Sequence, residues 1–121
     1  MGDARRLVVA VDGSAASQEA LRWAGALAHR TGAGLVAVHA VGLLEVAHDP
    51  AASPERWRAE LRSRVEGWCR GLSGDGTTCR VELRDGSPLD VVPALVEEVG
   101  AGLVVVGSRG VGGTPERALG S

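Results

Sequence analysis

The residues best suited to chemistry lie in one stretch, Gly107 to Ser121, which reads G-S-R-G-V-G-G-T-P-E-R-A-L-G-S. It follows a run, Leu103-Val104-Val105-Val106, with the composition of a buried parallel strand. Glycine at 107, 110, 112 and 113 lets a backbone come close to a ligand with no Cβ in the way. Thr114-Pro115 then reads as a helix start, threonine at the N-cap and proline at the first helical position. Strand, glycine loop and helix N-terminus together gather N–H donors and a positive dipole end, the chemistry that holds a phosphate. The other reading of the same glycines is a turn with no ligand.

Few other residue types compete for a catalytic role. All thirteen basic residues are arginine, so neither a P-loop lysine nor a Schiff-base lysine is available. Cys69 and Cys79 lack a second pair or a histidine at zinc spacing and are expected as reduced thiols of a cytoplasmic protein. His29, His39 and His48 are scattered, without a carboxylate or nucleophile partner by spacing, and are read as structural or solvent-facing. The net charge of −2, with arginines and carboxylates interspersed, points away from nucleic acid and from an anionic membrane. Arg5-Arg6 is followed by only Leu7 to Val11 before Asp12, too short for a signal-peptide core or a span.

At 121 residues the chain is expected to be one domain, residues 1–121, with a core of Val, Leu and Ala. Tryptophan supplies its three aromatic residues, and Phe and Tyr are absent, so the packed elements must sit close together. Leu7 to Val11 reads as the first strand, and Asp12-Gly13-Ser14 as a turn whose Ser14, or else Ser17, caps the next helix. Ala20, Leu21, Ala24, Leu27 and Ala28 place a small-residue face of that helix on the sheet. Leu35 to Val41 is the second strand, and Gly42 to Ser53 a loop. A helix from Ser53-Pro54-Glu55 carries Trp57, Leu61, Val65, Trp68 and Leu72 as an apolar stripe, with its arginines on a solvated face. A turn at residues 73–77 precedes a half-buried edge strand, Cys79 to Leu83. The helix after Asp85-Gly86-Ser87-Pro88 contains Pro93, which predicts a late start or a kink. Strands and helices therefore alternate, which implies an open parallel sheet with helices on both faces. Ligands of such sheets bind beyond the strand carboxyl ends, where the strand order reverses.

Gly107-x2-Gly110-x9-Gly120-Ser121 resembles the nucleotide-binding signature of the universal stress protein family, G-x2-G-x9-G-[ST]. The opening V-V-A-V-D-G-S, V-H-A-V at the end of the second strand and D-G-S-P before the third helix are similar to that family too, so the resemblance runs from about Leu7 to Ser121. It implies a Rossmann-like sheet of the adenine nucleotide alpha hydrolase type with strand order 3-2-1-4 and a fifth strand beside the fourth. Asp12 and Gly107 would then sit at neighbouring strand tips. The resemblance further implies an ATP-binding, cytoplasmic stress-response regulator that is often a homodimer. Asp12, Gly13 and Ser14 would seat ribose and adenine, and Val38, His39, Ala40 and Val41 would line the adenine pocket, the strand's own N–H and C=O groups reading the base edge. Donors near Ser108, Arg109 and Gly120, freed by Gly110, Gly112 and Gly113 and joined by the Ser121 hydroxyl, would hold the phosphates. Mg2+ would arrive with the nucleotide, close to Asp12. Arg109 either neutralises phosphate charge or lies in solvent.

A dehydrogenase reading fails because D-G-S-A-A-S stands where G-x-G-x-x-G is needed. A receiver-domain reading fails for want of a lysine. No base and orienting partner is visible for attack on a γ-phosphate, so no catalytic residue is expected and any ATP hydrolysis should be slow. A nucleotide-independent interaction domain of the same fold is the alternative from another class. Members of the family continue past G-[ST] with a short helix and a last strand, whereas the sequence here stops at Ser121. The expectation is a fragment, or a form without the dimer-forming strand, whose fourth strand is an open apolar edge that self-associates.

Overall fold

The computed structural model describes residues 6–42, 53–70 and 79–107. The chain alternates β1 (Arg6–Ala10), α1 (Ala15–Thr31), β2 (Gly34–Val41), α2 (Pro54–Arg70), β3 (Cys79–Asp85), α3 (Pro88–Val99) and β4 (Leu103–Val105). Its four strands form one parallel sheet in the order β3-β2-β1-β4, as the family resemblance implied. The 43–52 loop, the 71–78 turn with Leu72, and the glycine-rich stretch from Ser108 onward lie outside the described residues.

Strand alternation sorts the apolar residues into two layers. Leu7, Val9 and Val11 of β1 and its extension, with Leu35, Ala37 and Val41 of β2, meet α1 and α2 on one face. Val8, Val36 and Val38 meet Val91, Leu95 and Val99 of α3 on the other. Helix α1 buries Ala20, Ala24, Gly25 and Ala28 around Leu21, so small side chains bring its backbone close to the sheet. From α2, Leu61 and Val65 are buried as expected, with Trp57 and Trp68 half-buried beside them. Cys69, not read as part of that stripe, is buried as well. The edge strand β3 is partly exposed along its length and runs two residues further than expected, to Asp85. It is tied to the opposite layer by Arg84, whose guanidinium donates to both oxygens of Glu98 on α3 at 3.0 and 2.8 Å and to Glu82 at 3.2 Å. A planar arginine fork makes such a two-sided link where lysine offers a single point charge. Burial alone would raise the Glu82 carboxyl, but hydrogen bonds from Arg80 and Arg84 hold it below the ordinary carboxylate range.

Helix α3 departs from the sequence reading. It starts at Pro88 with Ser87 as N-cap, so its start is not delayed, and it runs unbroken through Pro93 to Val99. The Ser87 carbonyl accepts from Asp90 and Val91 at 3.1 and 2.8 Å, while its hydroxyl turns to the Asp90 carboxylate and caps no N–H. Two forces outweigh the interior proline. Pro88 presets φ at the first helical position, and Val91, Leu95 and Val99 recur every four residues against the sheet. Each fully buried side chain of that kind stabilises by about 1.5–3 kcal/mol. Position 93 still has no N–H for the helical ladder. Because Pro93 is exposed, Pro93→Ala restores that bond without loss of packing and should raise stability by about 1–3 kcal/mol, read as a higher urea midpoint at unchanged slope. A lower midpoint would show that Pro93 itself makes stabilising contacts.

Candidate functional site

The central strand ends in a closed turn. Val11 N–H donates to the Val38 carbonyl at 2.9 Å, extending the β1–β2 ladder by one rung. At Gly13 the chain reverses with φ +83, a conformation that suits glycine. The Asp12 carboxylate accepts from Ser14 N–H at 2.9 Å, an Asx turn. Ser14 is the N-cap of α1, its hydroxyl accepting from Ser17 N–H at 3.1 Å. The buried Ser17 hydroxyl accepts from Asp12 N–H and donates to the Ser14 carbonyl, both at 3.2 Å. Both serines offered as caps by the sequence therefore act in one network, Ser14 on the helix and Ser17 on the turn.

Two further elements close on this turn. The register Val9↔Val105 carries the chain leaving β4 alongside the tip of β1, and Gly107 meets the first turn of α1. A Cβ on Gly107 would lie 2.8 Å from both the carbonyl carbon and the oxygen of Ala16, a contact only glycine permits. From the other side, the Trp68 indole of α2 reaches Gly13, where a Cβ would stand 2.8 Å from its Cζ2. The indole also meets the His39 ring edge-on, with centroids 5.8 Å apart. His39 is buried and its Nδ1–H donates to the Val11 carbonyl at 2.8 Å, which fixes the tautomer and leaves Nδ1 no part as a base.

Asp12, Gly13, Ser14, His39 and Gly107 are thus brought together at the C-terminal edge of the sheet, around the start of α1. Val38 and Ala40 are not, since both point to the α3 layer and Val38 is 1% exposed. Val41 faces the α1–α2 layer but is equally enclosed. The carbonyls of Val38 and Val41 already hold the N–H groups of Val11 and Gly86, at 2.9 and 3.1 Å. The pairing of β2 with β1 ends at Val38, and its pairing with β3 continues to Val41↔Asp85. Ser108, Arg109, Gly110, Gly112, Gly113, Gly120 and Ser121 lie outside the described residues. Trp68 is the residue that sequence reasoning assigned only to a core stripe; helical spacing alone gives no sign that its ring reaches a turn 55 positions earlier. Among the described residues no group of three or more His, Cys, Asp or Glu gathers to hold a metal, and no helix is long and apolar enough to cross a membrane.

Comparison with known proteins places this geometry. The profile of the universal stress protein family matches residues 4–121. No curated protein sequence matches the chain significantly. Among solved structures, a universal stress family protein from Burkholderia pseudomallei is 25% identical, with a TM-score of 0.68, over 86% of this chain and 81% of that one. A universal stress protein in complex with cAMP is 24% identical, with a TM-score of 0.65, covering 96% of this chain and 84% of that one. One from Archaeoglobus fulgidus in complex with dAMP is 24% identical, with a TM-score of 0.60, covering 84% and 78%. The last two likenesses show the fold.

The chain leaving β4 passes the first turn of α1 at Gly107 with no room for a side chain. Gly107→Ala should lower stability by about 1–3 kcal/mol, because the obstructing atoms are backbone. Gly34→Ala, with nothing within 4 Å of its Cβ, should change it by less than about 0.5 kcal/mol. Denaturant titration of both variants checks the contrast, and equal behaviour would place Gly107 away from α1.

Proposed function

The chain belongs to the universal stress protein family, and from that premise we propose that it is a single-domain adenine-nucleotide-binding regulator of a cytoplasmic stress response. ATP with Mg2+ is its ligand and catalysis is at most slow hydrolysis. The observation that carries this reading is the meeting of the Asp12–Ser14 turn with Gly107 at the start of α1, where the order β3-β2-β1-β4 changes direction. That is where open parallel sheets bind ligands. Solved universal stress proteins of the same fold in complex with cAMP and with dAMP support an adenine nucleotide as the ligand.

On this reading Asp12, Gly13 and Ser14 seat the ribose and base. His39 lies in the wall beside them, and Val38, Ala40 and Val41 stiffen that wall from within the sheet. An adenine lying over Gly13 meets the Trp68 indole, a surface suited to stacking. The phosphates lie on Gly107, Ser108, Arg109, Gly110, Gly112, Gly113, Gly120 and Ser121. Asp12 is the carboxylate nearest an incoming Mg2+, which neutralises phosphate charge; the residues of the turn bind and orient, and none is assigned a chemical step.

Titration calorimetry tests the assignment. ATP with Mg2+ should bind with roughly micromolar affinity, about 8 kcal/mol, and Gly110→Val should abolish binding by placing a branched side chain in the phosphate path. Equal binding by both proteins would sink the motif. Absence of binding, with no adenine nucleotide released on denaturing the purified protein, would favour a nucleotide-independent interaction domain.

The reading extends to self-association. Strand β4 is the edge of the described sheet, Leu103 and Val104 are 41% and 38% exposed, and the strand carries no charge or proline to discourage pairing. Size-exclusion chromatography with light scattering should give a dimer, and Val104→Lys should shift it toward monomer. A wild-type monomer at tens of micromolar, roughly the range where weak dimers form, would remove this part of the proposal.

A further inference from the structure

One ring on α2 bears on the β1 turn at two points. Trp68 lies near the end of α2 and is half-buried against the α1–α2 layer, whose fully enclosed residues are Val, Leu, Ala and Cys. Its indole meets Gly13 directly: a Cβ there would stand 2.8 Å from Cζ2, 3.1 Å from Cη2 and 3.6 Å from Cε2. The same ring meets His39 at an interplanar angle of 77°, and His39 donates Nδ1–H to the Val11 carbonyl at 2.8 Å. Val11 and Gly13 are the two chain neighbours of Asp12. The indole therefore supports both, Gly13 by contact and Val11 through the imidazole.

We propose that Trp68 is a positioning residue for the nucleotide, holding Asp12 and the turn around it in the geometry that receives the nucleoside end, a role that rests on the adenine-nucleotide reading given under Proposed function. Trp68 thereby makes the affinity of the β1 side depend on where α2 lies. A leucine or valine at position 68 would also fill core volume, but neither has atoms at the reach of Cζ2 and Cη2, the two that come nearest Gly13.

The turn needs such a support. Its own hydrogen bonds, Ser14 N–H to the Asp12 carboxylate and Asp12 N–H to the Ser17 hydroxyl, are internal to residues 12–17 and fix its shape. Gly13, at φ +83, is the residue of the turn with the widest choice of backbone angles. What stops it from tilting toward α2 is the ring it rests on. A turn already held in place spends no binding energy on being ordered. With a smaller ring beneath it, the turn visits other arrangements, and affinity falls in proportion to the fraction that is competent to bind.

The test measures binding of ATP with Mg2+ to the full chain by titration calorimetry, at a temperature where circular dichroism shows each variant folded, so that lost stability alone leaves affinity unchanged. Trp68→Phe keeps a ring in the layer but removes Cζ2 and Cη2, and should weaken binding by about tenfold. Trp57→Phe, the same change on the same helix and against the same layer, should stay within about twofold of wild type. A second measurement leaves position 68 intact: in Trp23→Phe/Trp57→Phe protein, Trp68 is the remaining indole, and its emission should change as ATP saturates the site. Wild type that binds no adenine nucleotide would overturn the proposed function and this inference with it. Wild type that binds, with Trp68→Phe equally tight or no weaker than Trp57→Phe, or with Trp68 emission unmoved, would leave the site standing and overturn the part given to Trp68.

Discussion

A strand paired on both sides and covered on both faces gives its backbone no water, and β1 is such a strand. β2 and β4 flank it, and Val8 and Val9 are fully enclosed by opposite layers. The chain that leaves it must satisfy its polar groups within a few residues, because an unpaired buried N–H or C=O costs as much as a lost hydrogen bond. Everything at the C-terminal edge follows from how this is done. Asp12, Ser14 and Ser17 exchange hydrogen bonds among themselves, Gly13 supplies the left-handed φ, and the same serines that close the turn begin α1. Among the described residues no buried side-chain polar atom is left without a partner.

The same economy shapes the core. With neither Phe nor Tyr, the space between helix and sheet is filled by Val, Leu and Ala. Ala20, Ala24, Gly25 and Ala28 let α1 approach closely enough for its first turn to touch Gly107. A larger residue at any of these buried positions would push the helix away from the sheet. Packing density and site geometry are in this sense one constraint, since interiors accommodate added volume only by moving backbone.

These relations were legible in the sequence to different depths. The strand runs, the small-residue face of α1 and the Asp12-Gly13-Ser14 turn are local patterns, and local patterns suffice to place them. Strand order is not local: it came from the resemblance carried by the glycine spacing, and β3-β2-β1-β4 agrees with it. Pro93 misled because a local helix rule was weighed without the buried stripe of Val91, Leu95 and Val99, whose packing outweighs one missing hydrogen bond. For the base-edge role given to residues 38–41, sequence could not tell that the carbonyls of Val38 and Val41 are already taken by the N–H groups of Val11 and Gly86. The place of Trp68 was beyond reach, because it depends on how α2 crosses the sheet. Periodicity says which face of a helix is apolar and nothing of what lies under it.

The finished turn also constrains how a ligand would lie. A helix N-terminus draws an anion through its unpaired N–H groups, but at α1 the Ser14 hydroxyl has already taken the Ser17 N–H and the Asp12 carboxylate the Ser14 N–H. The carboxylate adds negative charge where a phosphate would sit, so without a bridging cation the β1 turn repels phosphates more than it attracts them. The apolar surface there is the Trp68 indole beside His39 and Gly13, which suits an uncharged ring. Donors for the charged end must then come from the other side of the switch point, where the chain passes Gly107 into a stretch rich in glycine and containing Arg109. On the proposed function, a nucleotide bound across this edge would be oriented by exclusion as well as attraction, with its base toward the β1 turn and its phosphates away from the Asp12 carboxylate.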